Sequence, residues 1–288
     1  MVRKFLAVAA LAFSVGIASA ETLLDTDFTK GSTGWVLNGN AQLLDPMTAG
    51  VAQVLSLTQH EGSQTGVAWT ELQRQVPSFS FIAEARIRWD QAKATEVGSD
   101  TSCPADGMAM VFAPVATDAV GGGGGALGLF GGAIERFVAF EINTWRGQGL
   151  GDETERGACT SGKHETFAFD LITPETEDQA RTDGVQGTPE KGGAKIGQVG
   201  PPSGAKIVNG GLYRYQWNVA EDGTMSVYLT GLEDANKAVQ KVKVLEVKFP
   251  SSPIGFEGRW GLTGATGGAT QYTEVTRARI DSPMIEPI

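Results

Sequence analysis

Two acidic residues lie beside strand-like apolar runs, in positions where a single carboxylate can bind a cation or a hydroxyl group. Asp106 comes directly before the run at residues 108–112, and Glu141 lies inside the run at residues 137–145. A carboxylate next to a buried strand is costly unless a polar partner meets it. The position of these two acids therefore predicts a polar or cationic ligand nearby.

Oxygen-bearing side chains around Glu141 follow a spacing that suits a calcium site. Asn143 shares a strand face with Glu141, and Asp152 and His164 follow in the next loop. Ca²⁺ binds carboxylate, amide and carbonyl oxygens at about 2.3–2.6 Å with tolerant geometry. The alternative is an inward polar pair that hydrogen bonds satisfy, and the spacing alone leaves both interpretations open.

The supply of catalytic groups is small. The chain has two histidines, which disfavours a zinc site of several histidines and most histidine-dependent nucleophiles. Glycoside hydrolysis needs two carboxyl groups roughly 5–10 Å apart. On the strand of Glu141, the same-face positions are Asn143 and Trp145, so this strand brings one acid. The nearby acids are interpreted as solvated charges: Glu153, Glu155 and Glu165.

A run of five glycines at residues 121–125 precedes the apolar segment 127–130. One interpretation is a flexible surface turn. The other is a loop whose backbone N–H groups approach a ligand more closely than a Cβ atom would allow. The second interpretation gains weight only from the acids on either side of the loop.

The elements that position these residues are predicted to be β-strands. The chain has 39 glycines and 12 prolines, and its apolar residues occur in short alternating stretches joined by turns. Residues 212–219 and 225–229 form a predicted hairpin around Glu221-Asp-Gly223. Residues 241–249 form another predicted strand, whose lysines suit a solvated face or a sheet edge. The clearest case of alternation is at residues 79–89, with one apolar face formed by Phe79, Phe81, Ala83, Ala85, Ile87 and Trp89.

The limits of the β-strand pattern along the chain indicate the domain organisation. Residues 1–20 have a basic start, an apolar run and a small-residue cleavage pattern, which predicts an export signal. Residues 21–288 are predicted to form a single all-β domain. Residues 173–206 are rich in glycine, proline and charge without an apolar period, so a long flexible loop or insertion is predicted there.

Charge and cysteine content limit the partners and the compartment. Removing residues 1–20 takes away two positive charges and no negative ones, so the formal net charge falls from −10 to −12. This disfavours a nucleic-acid partner, and no apolar stretch after the signal is long enough for a membrane span. We expect a secreted or periplasmic protein, in which the two cysteines, Cys103 and Cys159, form a disulfide.

Six segments follow one another in a characteristic order: residues 105–114, the glycine loop before 127–130, 138–145, His164 to Asp170, 222–229 and 260–267. Taken together, they resemble the motifs of L-type (legume-type) lectins, and of the bacterial members in particular. The resemblance implies a concanavalin A-like jelly-roll sandwich of two antiparallel sheets, the fold of a superfamily that includes both lectins and glucanases.

The resemblance also implies site residues. Asp106 is the implied sugar-binding aspartate, preceded by a cis peptide bond from Ala105. A glycine N–H of the 121–125 loop and the loop at 264–268 are implied on either side of it. The carbohydrate-binding residues are then Asp106, Gly124, Gly125, Trp145 and Gly267. The residues implied to hold Ca²⁺ and a transition metal are Glu141, Asn143, the carbonyl of Trp145, Asp152 and His164.

The chain departs from the family pattern at two metal positions. Asn143 stands where the family usually has aspartate, and Gly147 stands where it usually has asparagine. Because Ca²⁺ affinity follows the charge of its ligands, we expect weaker metal binding.

The function implied is an exported, non-catalytic, glycan-binding protein that uses Ca²⁺. Two alternatives are a polysaccharide-cleaving enzyme on the same fold, and a structural or adhesive module with a degenerate sugar site.

Overall fold

The structure is a computed structural model in which two antiparallel β-sheets pack face to face. Its described residues are 19–45, 52–89, 104–129, 134–144, 168–172, 195–199, 209–234, 236–237, 239–248, 252 and 254–288, with the backbone alone for 168–172 and 195–199.

The larger sheet has eight strands, and its two longest, residues 79–88 and 272–282, lie side by side in its interior. Along the sheet the order is β13-β12-β11-β6-β15-β4-β3, and β1 pairs with the second half of β15. Its strands are β1 (Glu21–Asp27), β3 (Gln42–Leu44), β4 (Val54–Thr58), β6 (Phe79–Arg88), β11 (Tyr213–Val219), β12 (Thr224–Gly231), β13 (Val242–Lys248) and β15 (Tyr272–Ser282).

The smaller sheet carries Glu141 on a central strand, and Asp106 lies directly before the neighbouring central strand, at the end of the sheet. The order is β10-β9-β8-β7-β14-β5-β2. Its strands are β2 (Trp35–Gly39), β5 (Thr65–Thr70), β7 (Gly107–Ala113), β8 (Val138–Asn143), β9 (Ala168–Ile172), β10 (Lys195–Val199) and β14 (Arg259–Ala265). A 3₁₀ turn, Gly124–Ala126, lies in the loop between β7 and β8.

Aromatic side chains fill the space between the sheets. Phe79 on β6 lies edge-on against Trp217, with 5.2 Å between ring centroids, and against Trp260, with 5.6 Å. Edge-to-face aromatic contacts each add about 0.5–1.5 kcal/mol beyond the burial of area. All five tryptophans within the described residues are at most 5% exposed: Trp35, Trp69, Trp89, Trp217 and Trp260.

A second, smaller apolar cluster lies on the outer face of the smaller sheet, opposite the main core. The segment between β7 and β8 folds over this face and packs Leu129 and Phe137 against Val111 and Ala139. The indole N–H of Trp69 also donates to the carbonyl oxygen of Ala119 at 2.7 Å. The glycine loop is therefore attached to the sheet by apolar and polar contacts.

The all-β sandwich confirms the predicted fold class. The apolar residues listed for 79–89 are all buried, and β13 is an edge strand, as its lysines indicated. Strand β10 lies inside the range 173–206, where a long flexible loop or insertion was predicted and no strand was assigned. Its apolar residues, Ile196 and Val199, are three positions apart and so do not alternate with period two.

Other predictions about the chain fall outside the described residues. They concern most of the export signal at residues 1–20, both cysteines of the predicted disulfide, and residues 173–194 and 200–206 of the predicted loop. Within the described part of the chain, no helix is both long and apolar enough to cross a membrane.

Candidate functional site

Asp106 is held at the end of the smaller sheet by hydrogen bonds to both neighbouring strands. Its N–H donates to the carbonyl oxygen of Ala265 at 2.9 Å, and its own carbonyl accepts the N–H of Thr144 at 3.0 Å. The peptide bond between Ala105 and Asp106 is cis, as the resemblance implied. The backbone of Asp106 is thus fixed at the ends of β14 and β8, directly before β7.

One oxygen of the buried Asp106 carboxyl group, Oδ2, has no hydrogen-bond partner among the described residues. The residue is 7% exposed, and within the described residues its Oδ2 accepts no hydrogen bond. Burial raises the pKa of this carboxyl from 3.8 to about 7. A buried acceptor without a donor costs free energy that a ligand donating a hydrogen bond would recover.

The glycine turn that approaches this carboxyl offers two backbone N–H groups for which no acceptor is found among the described residues. The 3₁₀ turn begins with Gly124 and Gly125, and in the described part of the chain no acceptor binds the N–H of either residue. A Cβ atom placed on Gly124 would lie 3.9 Å from Oδ2 of Asp106. Gly124 has a φ of +61°, in the left-handed region that favours glycine. A Cβ on Gly125 would have no atom within 4 Å, so this residue borders open space.

The loop after β14 forms the other side of the carboxyl group. A Cβ atom placed on Gly267 would lie 3.1 Å from Oδ2 of Asp106, so the loop backbone approaches the carboxyl closely because it carries no side chain there. Gly267 is half-buried and Gly268 is exposed. The structure therefore brings Asp106, Gly124 and Gly267 together, with Gly125 directly beside them.

Two of the five predicted metal ligands lie within the described residues. Glu141 and Asn143 occupy alternate positions on β8, so both lie on the outer face of the smaller sheet, and Glu141 is 3% exposed. A buried carboxylate and an amide oxygen on one face are the donors that Ca²⁺ prefers, so these two residues fit that ion. Three further predicted residues lie outside the described residues: Trp145, Asp152 and His164.

The strand register adds an acidic residue that the sequence analysis did not assign to the site. Asp170 of β9 is the direct partner of Glu141 across the antiparallel pair. Pairing between distant segments cannot be deduced from their separate sequences, which is why this juxtaposition was missed.

The sequence analysis also did not predict a cluster of aromatic and charged side chains next to the Gly267 loop. His60 and Tyr272 lie with their ring centroids 5.5 Å apart, and the guanidinium of Arg88 lies 4.5 Å from the Tyr272 ring. Nδ1 of His60 is 3.0 Å from the hydroxyl of Thr270. No sequence motif joins these residues, since they come from three separate strands and turns.

Comparison with solved structures identifies the architecture. The basic winged bean lectin with Tn-antigen superposes with a TM-score of 0.62 at 17% identity, over 91% of this chain and 98% of the lectin. The lectin from Bauhinia forficata in complex with GalNAc gives a TM-score of 0.60 at 16% identity, over 91% of this chain and 99% of the lectin. This chain has the L-type lectin fold.

The same fold extends to a lectin outside the legume group. The exoplasmic/lumenal domain of VIP36 in its Ca²⁺/Man-bound form superposes with a TM-score of 0.56 at 14% identity, over 89% of this chain and 86% of that domain. No protein-family model and no curated protein sequence matches the chain. The relation to the L-type lectins is therefore one of fold.

Proposed function

We propose that this protein is a non-catalytic carbohydrate-binding protein whose site is formed by Asp106, the Gly124–Gly125 backbone and the Gly267 loop. The observation that carries the proposal is the buried Oδ2 of Asp106, which accepts no hydrogen bond within the described residues and faces the glycine turn at Gly124. No acceptor among the same residues binds the N–H of Gly124 or Gly125. A sugar hydroxyl both donates and accepts, so one hydroxyl group can satisfy both sides. Solved lectins of similar fold that are bound to GalNAc or Man support this ligand class.

Each contact has a separate role in the proposed complex. Asp106, in its charged form, accepts a hydrogen bond from a sugar hydroxyl, and such charge-assisted bonds are stronger than neutral ones. The N–H of Gly124 or Gly125 donates to the same or a neighbouring hydroxyl. Gly267 leaves the sugar ring room to approach, and Trp145 provides the apolar surface that sugar-binding sites commonly include.

We also propose that Ca²⁺ supports this site. Glu141 and Asn143 would hold it, together with the carbonyl of Trp145, Asp152 and His164. When bound, the cation would supply positive charge that offsets the buried carboxylate of Glu141 on β8. The presence of Asn143 in place of a carboxylate lowers the expected affinity, because it removes one ligand charge. The Ca²⁺/Man-bound form of VIP36 supports a cation in this fold.

The test is glycan-array binding of the protein from residue 21 onward, in Ca²⁺ and in a chelator. We expect binding to glycans that end in GalNAc or mannose, with a loss of signal in the chelator. The matched variant Asp106→Asn keeps the size of the side chain and removes the charge, so it should lose binding. Wild-type protein that binds no glycan in either buffer, or an Asp106→Asn variant that binds normally, would contradict the proposal.

The pairing of Glu141 with Asp170 favours a second candidate function, cleavage of polysaccharide. Glycosidases use two carboxyl groups across the scissile bond, and directly opposite strand positions bring Cβ atoms to about 4.5–5.5 Å. Release of reducing ends from a β-glucan panel by wild type, abolished in Glu141→Gln, would support this candidate over the lectin. Glycan binding without release of reducing ends would dismiss it.

The compartment and the cysteines belong to the same proposal. We infer that residues 1–20 direct export to the periplasm or the exterior, and that Cys103 and Cys159 form a disulfide near Asp106. A thiol assay on unreduced, denatured protein should detect no reactive thiol. Two reactive thiols would contradict the bridge.

A further inference from the structure

Backbone hydrogen bonds join the loop that carries Gly267 to the turn at residues 59–64. The N–H of Thr266 donates to the carbonyl oxygen of Gln64 at 2.9 Å, and the N–H of Ser63 donates to the carbonyl oxygen of Gly267 at 3.1 Å. A Cβ on Gly62 would lie 3.0 Å from the same carbonyl oxygen. The turn and the loop therefore lie directly against each other.

The hydroxyl group of Thr266 is the centre of this contact. Its Oγ1 donates to the carbonyl oxygen of Glu61 at 2.6 Å and accepts the N–H of Gln64 at 3.0 Å. Thr266 is fully buried. Removing the hydroxyl would leave both a donor and an acceptor of the turn without partners, at a cost that exceeds the net value of the bonds themselves.

The interior of the turn is filled by one more polar side chain. Gln64 is 6% exposed, its Oε1 accepts the N–H of Gln59, and its Nε2 donates to the carboxylate of Glu61 at 3.2 Å. The turn is thus closed by side-chain hydrogen bonds on the same side as Thr266. It presents a fixed surface to the loop after β14.

These bonds act on the site because the residues on both sides of Thr266 contact Asp106. Ala265 accepts the backbone N–H of Asp106, and the Cβ position of Gly267 lies 3.1 Å from Oδ2 of Asp106. A shift of the loop by a few tenths of an ångström would change the space above the carboxyl group. Since hydrogen bonds weaken steeply with misalignment, the loop position decides how a ligand meets Asp106.

We propose that Thr266 is a positioning residue of the carbohydrate site, which it controls by locking the Gly267 loop against the turn at residues 59–64. This inference rests on the proposed function. It gives Thr266 an effect on glycan affinity although Thr266 itself does not contact the ligand in the proposed complex. Preorganised walls improve affinity because the ordering cost is met before the ligand arrives.

The chain provides a matched control at the other end of the same strand pair. The hydroxyl of Thr70 donates to the carbonyl oxygen of Leu72 at 2.8 Å and accepts the N–H of Trp260 at 3.1 Å. Thr70 is fully buried, like Thr266. Both hydroxyls thus join two backbone groups, but Trp260 lies at the start of β14, whereas Thr266 follows its end.

The experiment compares Thr266→Val, Thr266→Ser and Thr70→Val in titrations with GalNAc- and mannose-terminated glycans, with thermal unfolding alongside. We expect both valine variants to lose similar stability. Only Thr266→Val should weaken binding, by on the order of tenfold, and Thr266→Ser should restore it, since the serine hydroxyl can make the same two bonds. Equal affinity in the two valine variants would overturn the proposal.

Amide hydrogen exchange without glycan separates this inference from the proposed function. In Thr266→Val the amides of Ser63 and Asp106 should exchange faster than in Thr70→Val, because both amides donate to the Gly267 loop or the residue before it. If no protein binds glycan, the proposed function fails, but faster exchange still supports the locking contact. Unchanged exchange at both amides would overturn it.

Discussion

At the residue scale, the stability and the proposed activity of this protein oppose each other at Asp106. A buried carboxyl without a hydrogen bond destabilises the folded state, and the same group is the acceptor that a ligand would use. Its pKa of about 7 in the folded protein lies above its value of 3.8 in the unfolded chain. The folded state therefore binds more protons, and the stability that this group contributes below pH 3.8 is lost as the pH rises through 7.

Replacing Asp106 with asparagine should stabilise the protein at pH 8 while it removes glycan binding. The gain has an upper limit of about 4 kcal/mol, from roughly 1.4 kcal/mol for each pKa unit between 3.8 and about 7. Urea unfolding in a chelator, at pH 4 and pH 8, measures this change. Wild type and variant should differ more at pH 8 than at pH 4, and a variant that is less stable than wild type at pH 8 would contradict the argument.

A glycine-to-alanine pair tests whether the ligand lies over the 3₁₀ turn. A Cβ on Gly125 meets no protein atom within 4 Å, so Gly125→Ala should change stability by less than about 0.5 kcal/mol. It should weaken glycan binding on the order of tenfold, because the methyl group enters the space beside the N–H donors. Gly255→Ala, which also meets no atom within 4 Å and precedes the far end of β14, is the control and should bind normally.

At the element scale, β6 and β15 share an ion pair whose carboxylate is fully buried and whose guanidinium is partly exposed. Glu274 of β15 is fully buried, and Arg88 of β6 donates to it through both Nε and Nη2. The hydrogen bonds to Glu274 raise the pKa of Arg88. The ring of Tyr272 packs under the same guanidinium. The end of β6 is therefore fastened to the strand that follows the Gly267 loop.

Replacing Arg88 with methionine should destabilise the protein far more than an equivalent change on the surface. The variant leaves the Glu274 carboxylate buried without its cation. Breaking a buried ion pair in this way costs about 3–5 kcal/mol. We expect the low end, about 3 kcal/mol, because the Arg88 side chain is 34% exposed. Arg277→Met breaks the more exposed pair with Asp25 on the same strand and should cost less than about 1 kcal/mol. Chemical denaturation measures both, and equal losses would refute the distinction.

The elements also explain which features could be predicted from the sequence. Alternation is a local signal, so β6 and the hairpin of β11 and β12 were predictable. The motif order likewise led to Asp106 and Gly124. The contact of Thr266 with Gln64 joins residues 202 positions apart, and the partnership of Glu141 with Asp170 depends on strand register. Neither leaves a local pattern, because both arise only when distant strands pair.

At the scale of the whole molecule, a bound cation should stabilise the sandwich as well as the site. A ligand that binds only the folded state adds about 2.7 kcal/mol when its concentration is 100 times the dissociation constant. We therefore expect the melting temperature to rise with millimolar Ca²⁺ and to fall back on chelation. Glu141→Gln should abolish this rise, whereas Glu246→Gln on the edge strand should keep it. A melting temperature that does not change when Ca²⁺ is added would contradict the proposed metal site.

The burial of the tryptophans has a spectroscopic consequence. Five of the six indoles are buried at 5% exposure or less, so a sugar at the surface does not contact them. The sixth is Trp145, which the proposed function places on the sugar-contacting wall. We therefore expect a change in emission on addition of glycan to come mainly from Trp145. The fluorescence of this protein can thus serve as an unlabelled binding signal, with Trp145→Phe as its blank.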